Sequence, residues 1–263
     1  MSEKVAPLPP PLKWAGGKRW LIPTLEKLWS KHSDLRLVEP FCGGLSVALG
    51  LQAENALLND VNFAVINFYQ QIQQGLKLDI SLDNDEATYY RQRAEFNRLN
   101  LLGESKNITA QLFYYLNRTG YNGLCRFNKS GGYNVPFGRY KTINYQTDFT
   151  QYQSVLASWE FSNKDFAELD VNKDDFIYAD PPYDVPFRQY AQQGFDWKDQ
   201  VRLAQWLVDH NGPVVISNQA TDRIIALYKK LGFKLNYLDA PRRISCKANG
   251  RNAVKEVIAT RGI

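Results

Sequence analysis

The chain is poor in residues that bind soft metals. Its 263 residues include two histidines, His32 and His210, and three cysteines, Cys42, Cys125 and Cys246. All lie far apart, and no Cys/His group has zinc-ligand spacing, so no metal site is expected. An odd, scattered set of cysteines argues against a disulfide framework and for reduced thiols in a cytoplasmic protein. Cys42 has no evident base near it and is expected to be a small apolar filler rather than a nucleophile. No apolar run approaches the ~20 residues of a membrane span. The opening MSEKVAPLPPPLKW lacks the apolar core of a secretory signal and reads as a loose proline-rich arm. The G-x-G-x-x-G fingerprint is missing too, which disfavours a dinucleotide ligand. There is no internal repeat.

The chain is 44% hydrophobic and 22% charged, an ordinary globular composition for one large domain or a domain with an insertion. The net charge of +5 says less than its distribution. Between Asn117 and Thr147 there are five bases, Arg118, Arg126, Lys129, Arg139 and Lys141, and no acid. From Asp239 to the end there are six, Arg242, Arg243, Lys247, Arg251, Lys255 and Arg261, against Asp239 and Glu256. Two basic segments distant in sequence can form one face for a polyanion.

Residues 35–41 read as a strand, punctuated by Gly43 and Gly44 and followed by a helix over 45–52. A strand over 56–60 and a helix capped by Asn62 and running to about Gly75 complete a βαβα pattern, which implies a parallel sheet. Helices are expected over about 83–102 and 109–116. Residues 117–145, rich in Gly, Asn and Tyr, read as loops and a hairpin. The βα pattern returns with strands over 160–162 and 175–179, a helix over about 197–210, a strand over 214–218 and a helix over 221–231. Residues 233–238 and 254–260 are expected to close the sheet as an antiparallel pair. The expected architecture is one α/β sheet domain interrupted by an insertion of roughly 70 residues.

The stretch DFIYADPPY is an apolar strand that stops on an acid, two prolines and a tyrosine. Proline cannot donate to a sheet ladder and stiffens the residue before it, so Asp180 and Pro181 are held rigidly at a strand's C-terminal edge. In open α/β sheets that edge binds ligands. The first strand ends in PFCGG, a glycine turn that lets a ligand approach the backbone and a helix N-terminus. The second ends at Asp60, where a Rossmann-like sheet holds a ribose hydroxyl pair. A one-ribose nucleoside fits this set. KWAGGK, residues 13–18, is only a partial phosphate loop, but its Trp and Lys could hold a ring and a carboxylate. If Asp60 holds the ribose of S-adenosylmethionine, DPPY faces its methyl group. An exocyclic base amine is a poor nucleophile because its lone pair is delocalised into the ring. Asp180 and the Pro181 carbonyl are rigid acceptors that could free it, and Tyr183 could stack a base taken out of the duplex.

YLNRTGYNGLCRFNKSGGYNVPFGRY, residues 115–140, closely resembles the target-recognition segment of the Dam-like DNA adenine N6-methyltransferases that modify GATC. KWAGGK, PFCGG, LND at 58–60, DPPY and ISN at 216–218 match that family's blocks, in its order, over nearly the whole chain. The departure is Leu45, where many relatives carry the second glycine of F-x-G-x-G. The resemblance implies a Rossmann-like S-adenosylmethionine-dependent methyltransferase sheet with an inserted helical and hairpin target-recognition domain. Residues 1–80 and 151–263 would form the catalytic domain, and 81–150 the insertion. Trp14, Lys18, Asp60 and Asp180 match cofactor contacts, with Phe41 and Gly43 in the cofactor turn. Asp180, Pro181 and Tyr183 match the residues that hold the extruded adenine. Arg126 matches a guanine reader, for which a guanidinium can bridge O6 and N7. Tyr121 matches an aromatic that enters the base stack, and Leu124 and Pro136 could meet thymine methyls. Arg118, Asn122, Arg139 and Tyr140 are implied DNA contacts, and Lys13 matches a residue at the outer end of the site.

The expected activity is transfer of a methyl group from S-adenosylmethionine to N6 of adenine in double-stranded DNA within GATC, by base flipping. An N4-cytosine methyltransferase would need the same acceptors. A methyltransferase acting on protein glutamine or RNA fits the basic recognition block less well. A silent DNA-binding regulator would have little use for Asp180 and Tyr183. No obligate protein partner is evident.

Overall fold

The computed structural model describes residues 6–184, 195–240 and 254–263. Helix α1 (Ile22–Trp29) carries Pro23 in its first turn, where a missing N–H costs nothing, and buries Leu25 and Trp29. It is followed by β1 (Leu37–Glu39), α2 (Ser46–Leu51) and β2 (Ala56–Asn59). Helix α3 (Phe63–Gln73) is capped as expected by Asn62, whose side chain accepts from the Ala64 N–H at 3.1 Å. Helices α4 (Glu86–Leu102), α5 (Lys106–Thr119) and α6 (Thr150–Leu156) come next. Strands β3 (Trp159–Ser162) and β4 (Phe176–Ala179) return the chain to the sheet. Helix α7 (Trp197–Asp209), β5 (Val214–Gln219), α8 (Asp222–Lys230), β6 (Lys234–Ala240) and β7 (Val254–Arg261) complete it. Helices α1 and α6 are additions to the sequence pattern. With 8 and 7 residues, each holds too few apolar repeats to register.

The seven strands form one sheet in the order β3-β2-β1-β4-β5-β7-β6. The first five are parallel, and β7 runs antiparallel to both β5 and β6. The fold is therefore mixed α/β with a Rossmann-like parallel half. Both faces of the central parallel strands β1, β2 and β4 are buried, as such sheets require, while the edge strand β3 is partly exposed. Leu37, Leu58, Tyr178, Val215 and Ile258 face the core shared with α1, α2, α3 and α5. Val38, Ile177, Ile216, Val257 and Ala259 face α7 and α8. Chain direction across the sheet switches between β1 and β4, which are hydrogen-bonded neighbours. Their C-terminal ends carry PFCGG and DPPY, so the topology alone puts the two motifs side by side at the switch point.

Helices α4 and α5 share the sheet's core rather than building their own: Tyr114 of α5 stacks on Phe68 of α3 at 5.5 Å, and Phe96 and Phe113 join the same cluster. The hairpin expected over 117–145 is looser than a ribbon. Two isolated antiparallel bridges, Gly120 to Phe137 and Phe127 to Tyr133, hold it, with the Asn134 N–H donating to the Arg126 carbonyl at 3.0 Å. Positive φ at Asn122, Gly123 and Gly131 bends the chain out of regular pairing. The basic residues Arg242, Arg243, Lys247 and Arg251, and Cys246, lie outside the described residues. Among the described residues, no helix is long and apolar enough to cross a membrane.

The turn after β1 bears the one sequence departure, and the structure shows its cost. Leu45 adopts φ +58°, the left-handed region, and its side chain is fully buried. That backbone costs a non-glycine residue about 1–2 kcal/mol, yet Leu→Ala in a core costs about 3–5 kcal/mol. The side chain outweighs the strain, so Leu45→Gly should lower stability by about 2 kcal/mol or more. Urea unfolding at constant m-value checks this, and a higher midpoint for Leu45→Gly would show that backbone strain dominates.

Candidate active site

Asp180 follows β4 directly and is held from two sides. The Lys18 ammonium sits 2.9 Å from its Oδ2, and the Ser217 hydroxyl donates to its Oδ1 at 2.9 Å. The Tyr178 hydroxyl lies 2.9 Å from Ser217, which extends a chain of hydroxyls from the sheet to the carboxylate. Lys18 is only 3% exposed; its ammonium also donates to the Gly16 carbonyl at 3.1 Å and lies 4.7 Å over the Tyr183 ring. A buried ammonium without a carboxylate would be severely destabilising, so Lys18 and Asp180 hold each other in place.

The rest of DPPY and the residue after it are clamped as well. Gln200 of α7 donates to the Pro182 carbonyl at 2.8 Å and is itself oriented by Asn218, whose Nδ2 donates to Gln200 Oε1 at 3.0 Å. Asp184, buried, accepts two hydrogen bonds from Arg223 of α8, and Thr221 donates to it at 3.4 Å. The stiffness expected from two prolines is therefore reinforced by helices arriving from later in the chain. Sequence reasoning missed Gln200, Asp184 and Arg223, because each lies 16 or more residues from the motif or looks like an ordinary surface charge. It also missed Glu256 of β7, a buried acid whose signal was its place in a strand, directly before the run Val257-Ile258-Ala259.

Residues 13–18 form one strap over three parts of the molecule. At its start, Asn117, fully buried at the end of α5, accepts from the Lys13 N–H at 2.8 Å and donates to the Lys13 carbonyl at 2.9 Å. The Lys13 ammonium donates to the Arg118 carbonyl at 2.7 Å and lies 4.0 Å over the Tyr140 ring. Burial, with Arg118 adding repulsion, lowers its pKa to about 8. Gly123 is required here, since a Cβ on it would stand 2.3 Å from Lys13 Cβ. In the middle, Trp14 lies on the glycine turn: a Cβ on Gly43 would meet its indole nitrogen at 2.6 Å, and one on Gly44 its Cβ at 2.7 Å. At the end, the Lys18 N–H donates to Ser46 Oγ at 3.1 Å, at the first residue of α2.

Asp60 closes the other side of the turn. Its two oxygens accept from the Gly43 N–H at 3.1 Å and the Asn62 N–H at 2.8 Å. Burial raises its pKa to about 6, against the lowering effect of those two bonds. Cys42 is buried, and burial with nearby Asp60 and Glu39 pushes its thiol well up, away from the nucleophilic thiolate. Phe41 points to the opposite side, packing edge-on against Phe195 at 5.5 Å. Trp14, Lys18, Gly43, Asp60, Asp180 and Tyr183 thus surround the C-terminal ends of β1, β2 and β4.

The insertion residues singled out from the sequence occupy the neighbouring loops. Tyr121 is 45% exposed, and its N–H donates to the Pro136 carbonyl at 2.9 Å. Tyr140 donates from its hydroxyl to Gly120 at 3.2 Å. Asn122, at φ +53°, and Leu124 are half-buried in the same turn. Arg126 is engaged locally: Nε donates to Asn134 Oδ1 at 2.6 Å and Nη2 to the Asn134 carbonyl at 3.0 Å. Arg118 donates to the Asn144 carbonyl. Arg139 stands apart, exposed and paired with Glu86 at 3.1 Å, a surface contact worth at most about 1 kcal/mol.

A family model described as D12 class N6 adenine-specific DNA methyltransferase matches residues 14–244. The retron Ec67 DNA adenine methylase of Escherichia coli is 35% identical over 266 residues, covering 95% of this chain and 90% of its own length. A DNA adenine methylase of Vibrio cholerae is 34% identical, covering 94% of each. Among solved structures, a tRNA methyltransferase from Aquifex aeolicus is 11% identical with a TM-score of 0.40, covering 99% of this chain and 72% of its own; that distance says nothing about activity. The family match spans the strap, the glycine turn, the insertion and DPPY together, and the chain therefore belongs to the D12 class of N6 adenine-specific DNA methyltransferases.

Proposed function

We propose that this methyltransferase moves the methyl group of S-adenosylmethionine to N6 of an adenine flipped out of duplex DNA, within GATC. The observation that carries the reading is Asp180: a carboxylate fixed at the switch point by Lys18 and Ser217, next to the tyrosine ring of the same motif. The residues present fit the cofactor. Asp60 has a half-buried carboxylate with one backbone N–H on each oxygen, so each retains acceptor capacity for a ribose hydroxyl. When bound, S-adenosylmethionine supplies an electrophilic methyl group on a sulfonium.

The protein's part is to prepare the amine. Asp180 and the Pro181 carbonyl accept the N6 hydrogens, which localises the lone pair on nitrogen. The methyl group would pass from the sulfonium to N6, leaving the cofactor as a neutral thioether, and the N6 proton released would go to the Asp180 carboxylate that accepts it and on to solvent. Because Lys18 and Ser217 already fix Asp180, no reorganisation is needed at that moment. Tyr183 supplies the stacking face. Residues 81–150 act as the recognition insertion, with Tyr121 exposed toward a duplex and Lys13, Leu124, Arg126, Pro136 and Tyr140 on adjoining loops. Arg126 can read a guanine if its bonds to Asn134 serve to orient the guanidinium edge. Arg118, Asn122 and Arg139 are assigned to the DNA backbone.

DNA recovered from cells expressing the chain should resist nucleases blocked by adenine methylation at GATC, and should be cut by those that require it. Asp180→Ala should lower the single-turnover methylation rate about 100–1000-fold at saturating cofactor; near wild-type turnover would remove Asp180 from the chemistry.

Asp60 sets a pH dependence. Its raised pKa, about 6 in the free protein, leaves it partly protonated below that value. Only the ionised form can accept from both ribose hydroxyls, so cofactor affinity should rise as pH increases through about 6. Asp60→Ala should weaken binding roughly 10–100-fold at neutral pH and flatten this profile. Calorimetric titrations from pH 5 to 8 test both, and a pH-independent wild-type affinity would rule the assignment out.

A further inference from the structure

Glu256 is a buried acid that the chemistry above does not use. It sits on β7 opposite Gln219 of β5, two residues before Ile258, which is opposite Ser217. Alternation along β7 puts Glu256 on the face of Ile258, the face that also carries Tyr178 and Val215. The residue is 5% exposed, and its carboxyl lies within hydrogen-bonding reach of the Tyr183 hydroxyl. Its surroundings are the active site itself. The Tyr183 hydroxyl faces its carboxyl, Lys18 is the nearby cation, and Asp180 is the nearby like charge. A buried carboxylate is stabilised by accepting from a buried hydroxyl beside it.

We propose that Glu256 is a positioning residue for the base-stacking tyrosine: its carboxyl takes the Tyr183 hydroxyl and fixes the ring angle at which the extruded base is held. The inference rests on the reading of Tyr183 as the stacking platform. The ring already lies under the Lys18 ammonium, 4.7 Å from the centroid, so one face is occupied. The hydroxyl end needs its own anchor to stop rotation about the Cα–Cβ axis, and β7, in the middle of the β5-β7-β6 ladder, is a rigid place from which to supply one. A tyrosine is then needed in place of a phenylalanine because its hydroxyl is anchored, with no role for that hydroxyl in the chemical step.

The test is a double-mutant cycle of Glu256→Leu and Tyr183→Phe, with Glu256→Gln as the conservative variant. Single-turnover methylation of a GATC duplex and cofactor affinity are measured on each. Glu256→Leu and Tyr183→Phe should each lower the rate about tenfold. The double variant should be no slower than either single variant, and Glu256→Gln should retain wild-type rate because an amide oxygen still accepts. Cofactor affinity should stay within about twofold throughout. Should Glu256→Leu fail to fold, Tyr183→Phe and Glu256→Gln still decide the matter. A full rate in folded Glu256→Leu, multiplicative losses in the double variant, a tenfold loss in Glu256→Gln, or an unimpaired Tyr183→Phe would overturn the proposal. A wild-type protein that does not methylate GATC at all would instead refute the underlying reading of the site.

Discussion

The ion pair between Lys18 and Asp180 is the contact on which the arrangement depends. Both groups are largely removed from water, and each would be prohibitive to bury alone. Joined, they fasten the N-terminal strap to the end of β4 and place the strap's middle, Trp14, on the glycine turn after β1. The pair also explains why DPPY needs so much support elsewhere. One ion pair holds only one oxygen of the acid and leaves the rest of the motif to be fixed elsewhere. Ser217, Gln200 and the Asp184–Arg223 pair fix the motif's remaining freedoms.

The strap gives the glycines a second meaning. Gly43 and Gly44 form the turn after β1, and the nearest atoms any Cβ there would strike belong to Trp14. Close approach by the protein's own indole is a sufficient reason for both. Leu45 shows the limit of that demand. It accepts a left-handed backbone because its side chain fills the core under α2, a larger gain than the strain it tolerates. Lys13 and Asn117 tie the other end of the strap to the end of α5, so the loops after α5 and Asp180 are joined by six residues of chain.

The insertion is structurally continuous with the sheet body. Phe68, Tyr114, Phe96, Phe113 and Tyr133 belong to one aromatic-rich core that runs from α3 through α5 into the loose hairpin. Positive φ values and isolated bridges leave the hairpin's backbone irregular while this core fixes its base. Irregular loops on a rigid support let side chains point without the alternation a strand imposes.

The sequence by itself determined the strands, because short apolar runs ended by Pro, Gly or Asp admit few other readings, and it singled out Lys18, Asp60, Asp180 and Tyr183 as candidates by type and order. Its Gly, Asn and Tyr content also marked residues 117–145 as loops and a hairpin, which the isolated bridges there show in a looser form. Tertiary structure alone decided which of these residues meet. The β1–β4 pairing puts PFCGG beside DPPY, a fact of strand order that no local pattern encodes. Arg126 was legible as a cation in a basic loop, but only the fold shows its bonds to Asn134. Gln200, Arg223 and Glu256 were illegible for the same reason: a side chain's partner is set by packing between elements distant in the chain, and neither propensity nor periodicity carries that information.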